Sequence, residues 1–228
     1  MTIELHNVTK AFKGGRGIFD VSFSLRPGHI TALVGSNGAG KSTIINMLTN
    51  LLKPDQGTIE RSCNDVRYMP DDISFPDTLT AEEIIKFLGG LKQVSPKKQE
   101  AILKQVGLAD AKNLKVGQFS KGMRQRLNLA QSLMGDSSLY ILDEPTNGLD
   151  PYWIAQVKVM LEQQRNNNQM VLFSTHLLSL AEEIADEVVL IHHGKILATG
   201  SIEGLLSEYR CQTLEQLWLQ LTNQGVVQ

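Results

Sequence analysis

Gly35-Ser36-Asn37-Gly38-Ala39-Gly40-Lys41-Ser42 fills every fixed position of the pattern GxxxxGK[ST], and no other stretch restricts the fold of this chain as tightly. Thr31-Ala32-Leu33-Val34 before it reads as a short buried strand, and residues 42–48 after it carry apolar side chains at helical spacing. A loop of this kind between a strand and a helix belongs to an α/β fold. Its glycines let the backbone turn tightly and aim successive N–H groups at phosphate oxygens, while the N-terminus of the helix adds partial positive charge. In that arrangement the loop from Gly35 to Thr43 cradles the phosphates, Lys41 reaches the terminal ones, and the Ser42 hydroxyl ligates Mg²⁺. The pattern implies a bound nucleoside triphosphate.

With 228 residues the chain can bury the core of one α/β domain, 1–228, with a subdomain inserted, and has no room for a second full catalytic unit. Its 22 Lys and Arg against 24 Asp and Glu point away from non-specific nucleic-acid binding, so no nucleic-acid partner is expected. Cys63 and Cys211 lie far apart with no CxxC spacing, which suggests neither a disulfide framework nor a zinc site and fits a reducing cytoplasm. The N-terminal stretch lacks the basic and apolar regions of a signal peptide, and no run approaches the roughly 20 apolar residues of a membrane span. The chain is not expected to cross a bilayer by itself.

Residues 3–8 and 19–25 alternate apolar and polar side chains like half-buried antiparallel strands, with Gly14-Gly15-Arg16-Gly17 as the turn. Lys53-Pro54-Asp55-Gln56-Gly57 breaks the pattern and Thr58-Ile59 begins another strand. From about residue 72 to 134 the character is helical. Thr80-Ala81-Glu82-Glu83 is a capping-box pattern opening a helix with Ile84, Ile85, Leu88 and Leu91 on its apolar side, and Ser95-Pro96 starts a second helix ending near Gly107. This reads as an inserted helical subdomain. His192-His193-Gly194-Lys195 fits a hairpin turn between strands at 187–191 and 196–199, with metal binding by the histidine pair as the alternative. A short C-terminal helix, about 213–222, opens at Thr213-Leu214-Glu215-Gln216. Its stripe of Leu214, Leu217, Trp218 and Leu221 either packs on the body or docks a partner.

Ser138-Leu139-Tyr140-Ile141-Leu142-Asp143-Glu144 is an apolar run too brief for a helix that ends in two acids. A buried parallel strand delivers such acids at its C-terminal edge, where α/β sheets place their ligands. Asp143 there holds Mg²⁺ through water, and Glu144, turned to the other side, is suited to polarise the water that attacks the γ-phosphate.

Phe119-Ser120-Lys121-Gly122-Met123-Arg124-Gln125-Arg126, Asp143-Glu144-Pro145-Thr146-Asn147-Gly148-Leu149-Asp150 and Ser174-Thr175-His176 resemble the signature loop, the strand-end acids with their D-loop, and the switch histidine of ABC-type ATPases. With the phosphate loop, four motifs stand in the family's order and cover nearly the whole chain. The resemblance implies a P-loop NTPase fold with a mixed sheet core, an antiparallel β subdomain and the inserted α-helical subdomain. It also implies a head-to-tail dimer, of like or unlike chains, that sandwiches two ATP molecules. Lys41, Glu144 and His176 are then the catalytic residues. Ser120 and Gly122 meet the nucleotide on the opposite copy, and Asp150 communicates between the sites. Ser120 also stands as an N-cap before the helical stripe Met123, Leu127, Ala130 and Met134. Phe12 falls where the family stacks an aromatic ring on adenine, an ordinary core phenylalanine being the alternative.

Several positions depart from the family's commonest form. The signature keeps its serine and second glycine but has Lys121 for the first glycine and Met123 for the glutamine; Lys121 is either part of that variant or a solvated surface charge. This FSKGMRQR form resembles the subset that drives ABC-2-type exporters. Where the family's Tyr-Leu-Pro-Gln pattern has glutamine, the chain reads Tyr68-Met69-Pro70-Asp71. A carboxylate still approaches Mg²⁺ directly or through water, so Asp71 joins Ser42 and Asp143 as a metal candidate, although it adds negative charge beside the phosphates. The resemblance thus implies an ATP-hydrolysing subunit under a separate polytopic membrane permease, peripheral on the cytoplasmic side of the membrane. The alternative is a soluble ATPase of a macromolecular assembly, such as iron-sulfur cluster assembly.

Overall fold

The computed structural model describes residues 2–63 and 65–224. Among these residues nine strands form two sheets. In the smaller one, β1 (Ile3–Ala11) lies between β2 (Gly17–Leu25) and β4 (Gln56–Arg61), antiparallel to both. The larger sheet contains β3 (His29–Val34), β5 (Val66–Met69), β6 (Leu139–Leu142), β7 (Met170–Thr175), β8 (Glu187–His192) and β9 (Lys195–Ser201). Its order is β5-β6-β7-β3-β8-β9, parallel throughout except that β9 returns antiparallel beside β8 through the turn at His193-Gly194. The histidine pair therefore belongs to a hairpin, as its spacing predicts.

The unbroken apolar runs of the central strands follow from burial on both faces. Alternate residues go to opposite sides. Ala32, Val34, Leu142, Val171, Phe173 and Leu190 face the layer of helices α4 (Lys121–Ser132), α5 (Pro151–Asn166) and α6 (Leu178–Ile184). Leu33, Ile141, Leu172, Val189 and Ile191 face the small sheet and α1 (Lys41–Leu48), meeting Ile3, Leu5, Val21, Ile44 and Leu48. Each of the Val, Leu, Ile and Phe side chains contributes about 1.5–3 kcal/mol on burial. The result that matters for function is a rigid β3, clamped between β7 and β8, from which the glycine loop departs.

Between β5 and β6 the chain forms α2 (Ala81–Leu91), α3 (Pro96–Gln105), a short 3₁₀ turn at Val116–Gln118, and α4. Thr80 makes the complete capping box, its hydroxyl accepting the Glu83 N–H at 3.2 Å while the Glu83 carboxylate accepts the Thr80 N–H at 2.8 Å. Ser95 caps α3 ahead of Pro96. Each cap is worth about 1 kcal/mol. Leu91 departs from the reading of α2: it is 68 % exposed, beside Phe87. The buried stripe runs Ala81, Ile84, Ile85 and Gly89, and Gly89 lies so close to the Gln99 side chain that a Cβ would not fit. Leu91, seven residues from Ile84, shares its side of the helix but is the last residue of α2 and lies beyond the part that packs.

After β9 come α7 (Ile202–Glu208) and α8 (Leu214–Gln224). Leu214 and Leu217 are buried, with Trp218 and Leu221 packed partly beside them, so the C-terminal stripe lies on the body against α6 and α7.

Candidate functional site

The glycine loop leaves β3 at Val34 and feeds α1 at Lys41. Glycine is required at Gly35, where a Cβ would run into the Ile191 carbonyl, and at Gly40, whose φ of +112° and contact with Ile18 exclude a side chain. The N-terminus of α1 has no side-chain cap and no acid in its first turn, which leaves its N–H groups and its positive dipole end available to an anion.

Ser36, Asn37, Gly38, Gly40, Lys41, Ser42 and Thr43 line one open cleft of about 510 Å³, together with Phe12, Arg16, Gly17, Asp71, Asp143 and Glu144. Gly35 and Ala39 do not. The Gly35 N–H donates to the Thr175 carbonyl and the Ala39 N–H to the Ser36 carbonyl, so these two brace the loop from behind rather than present amides to the cleft. Phe12 is 43 % exposed at the cleft wall, which removes the core-phenylalanine alternative.

Both acids come off the end of β6. The Asp143 N–H donates to the Met69 carbonyl, continuing the ladder with β5, and its side chain is buried. Ser174, fully buried at the end of β7, ties the acids together: its hydroxyl donates to Asp143 Oδ1 at 2.5 Å and accepts the Glu144 N–H at 2.9 Å. Burial is the main reason that the Asp143 carboxyl is pushed above the usual range; the Ser174 hydrogen bond opposes it, Asp71 and Glu144 add to it, and Lys41 opposes it. Asp143 therefore keeps its proton to higher pH than an ordinary carboxyl. The same surroundings, burial first and then Asp143 and Asp71, push Tyr68 up to about 12.

Glu144 has φ +48°, a left-handed conformation that costs a non-glycine residue energy and turns its carboxylate back over the glycine loop. There its two oxygens meet different partners, Lys41 Nζ at 3.2 Å and His176 Nδ1 at 3.0 Å. Lys41, only 7 % exposed, also donates to the Gly35 carbonyl at 2.6 Å. A carboxylate, an ammonium and an imidazole thus converge where a phosphate on the loop would end.

The oxygen donors of Ser42, Asp71 and Asp143 share the cleft, and a carboxylate as buried as Asp143 is stabilised by a cation. This donor set fits Mg²⁺, which binds through one or two protein oxygens plus phosphates and water. Ser120, Gly122 and Asp150 are not among the residues lining the cleft. Ser120 caps α4 through the Met123 N–H and Asp150 caps α5 through the Trp153 N–H, at 3.2 and 3.0 Å. Sequence reasoning missed Ser174, Arg16, Gly17 and Asn147. Ser174 carried a signal, a buried polar side chain in an apolar strand just before Thr175-His176. Arg16 and Asn147 reach the site only through the fold.

Fold and cleft define a P-loop nucleoside triphosphatase. Residues 18–147 match the ABC transporter family. The chain is 30 % identical to the ABC transporter ATP-binding protein NatA of Bacillus subtilis (strain 168), over 92 % of each chain. It is 38 % identical to the SkfA peptide export ATP-binding protein SkfE of the same organism, over 86 % of this chain and 87 % of SkfE. A solved ATP-binding subunit of an ABC transporter superposes with a TM-score of 0.88 at 27 % identity, over 97 % of this chain and 100 % of that one. The chain belongs to the ABC transporter family and is an ATP-binding ATPase of that family. Such subunits pair with membrane permeases in transporters, and among the described residues no helix is long and apolar enough to cross a membrane.

Proposed function

We propose that this chain is the motor of an exporter, hydrolysing ATP in a head-to-tail pair of nucleotide-binding subunits under a separate polytopic permease, on the cytoplasmic side of the membrane. The observation that carries this reading is the Glu144 carboxylate held between Lys41 and His176 at the end of the glycine loop. Glu144 is placed to take the proton of an attacking water, Lys41 and the loop amides to hold the β- and γ-phosphates, and His176 to orient Glu144 and donate to the γ-phosphate. Ser42 and Asp143 would hold Mg²⁺, with Asp71 at the edge of its shell; when bound, the ion neutralises charge on the β- and γ-phosphate oxygens. Phe12 stacks on the adenine, a contact worth about 1–3 kcal/mol and tolerant of base identity.

The head-to-tail arrangement is supported by what one copy leaves unused. The N-terminus of α4, with Ser120 and Gly122, lies outside the chain's own cleft and is equipped to meet a phosphate from another copy. Asp150, at the start of α5, lies in the turn that follows the acids and links the two sites. Export is supported by the Phe119-Ser120-Lys121-Gly122-Met123 form of the signature and by the likeness to SkfE, whose name describes peptide export.

The test is to tag the Glu144→Gln variant, extract cells in mild detergent with ATP, and identify what copurifies. A polytopic membrane protein in stoichiometric yield is expected; ribosomes, or soluble scaffold proteins alone, would contradict the transport assignment and leave the ATPase intact.

A further inference from the structure

A chain of side-chain hydrogen bonds leads from the tip of α4 into the cleft. Lys121 Nζ donates to Asn147 Oδ1 at 3.3 Å, and Asn147 Nδ2 donates to Asp71 Oδ1 at 3.3 Å. Chemistry determines which way the Asn147 amide points: flipped, it would set NH₂ against an ammonium and C=O against a carboxylate. The turn that carries Asn147 is held to the acids, since its N–H and the Gln125 side chain both donate to the Glu144 carbonyl, at 3.1 and 3.0 Å. Gly148 leaves the space that the Lys121 methylenes cover, and a Cβ there would collide with them.

Lys121 and Asp71, both departures from the family's commonest form, are therefore the two ends of one link. The cleft carries the carboxylates of Asp71, Asp143 and Glu144, and its buried cation, Lys41, is already paired with Glu144. Asp71 is the acid that this pairing leaves exposed, and Asn147 brings it the polarisation of a lysine outside the cleft.

We propose that Asn147 is a positioning residue that ties the Lys121 ammonium to the Asp71 carboxylate, holding Asp71 off the metal until Lys121 turns toward an anion. The role given to that anion rests on the head-to-tail reading: the loop of Lys121 then faces the nucleotide on the second copy, and a γ-phosphate there draws off the ammonium. Asp71 is released toward the metal in its own cleft, so occupancy of one site is registered at the other through a single amide.

The experiment titrates Mn²⁺, followed by electron paramagnetic resonance, into the full chain carrying ADP, which has no γ-phosphate to draw Lys121 away from Asn147. All three side chains are exposed, so the variants Lys121→Ala, Asn147→Ala and Asp71→Asn leave the core untouched. Lys121→Ala and Asn147→Ala are each expected to tighten Mn²⁺ about 3- to 10-fold, the worth of one exposed hydrogen-bonded link. The double variant is expected to be no tighter than the stronger single one, and neither change to matter once Asp71 is Asn. Additive effects, an undiminished Lys121→Ala effect in the Asp71→Asn background, or no effect in any variant would overturn the proposal, the first two making Lys121 only a nearby charge. A chain that takes up neither ADP nor Mn²⁺ would overturn the nucleotide-site reading with it, whereas failure to copurify a permease leaves this titration intact.

Discussion

Glu144→Gln is expected to bind MgATP about as tightly as the parent chain and to hydrolyse it 10²- to 10⁴-fold more slowly, roughly the contribution of a positioned general base. The amide is nearly isosteric and its oxygen still accepts from Lys41, so the contact at 3.2 Å that shapes the end of the glycine loop has a replacement. What it lacks is a basic oxygen for the proton of the attacking water. Held by the left-handed backbone at φ +48° and by the Ser174 hydroxyl on its N–H, Glu144 is the one carboxylate among the described residues paired with both Lys41 and His176. Asp143 faces the other way, buried and hydrogen-bonded to Ser174. Steady-state phosphate release together with equilibrium nucleotide binding measures both halves of the expectation, and an unchanged rate of hydrolysis would remove Glu144 from the mechanism.

Lys41→Ala is expected to cost at least about 10²-fold in nucleotide affinity, as lost charge-assisted hydrogen bonds of about 1.5–3 kcal/mol each require. The ammonium is 7 % exposed and bridges the Gly35 carbonyl and the Glu144 carboxylate, so its removal takes away the charge that answers the terminal phosphates and leaves Glu144 without its cationic partner. The two effects reinforce one another, because an unpaired carboxylate at the end of the loop repels the γ-phosphate. Calorimetric titration with ATP checks this, and undiminished affinity would count against the phosphate-loop reading.

The parts of the site that could be read from the sequence are those built within a few residues. The loop from Gly35 to Ser42, the acids ending β6, and Ser120 ahead of α4 each carry their chemistry in consecutive positions, where a strand end or a helix start dictates the residue types. Which members of a motif face the cleft was not legible in this way. Gly35 and Ala39 turn their N–H groups inward because β7 and the loop's own Ser36 take them, which depends on β3 lying beside β7. Arg16 joins the wall because the β1-β2 turn folds over the loop, and Asn147 reaches Asp71 because α4 and the acid-bearing turn are brought side by side. In the fold, the strand beginning at Thr58 was visible as a strand, but its place beside β1 in the small sheet is a matter of long-range pairing. Leu91 shows the limit of periodicity: seven residues from Ile84 it keeps the apolar side, yet it ends α2 beyond the part of the helix that packs.

The claim on which the account turns is that one copy of this chain holds half of each working site. Specific ATPase activity measured against chain concentration tests it most directly. If two copies complete the site, activity per chain rises in proportion to concentration at the low end and levels off once pairing saturates. Activity per chain that stays constant down to the lowest measurable concentration, in a chain shown to be monomeric there, would contradict it.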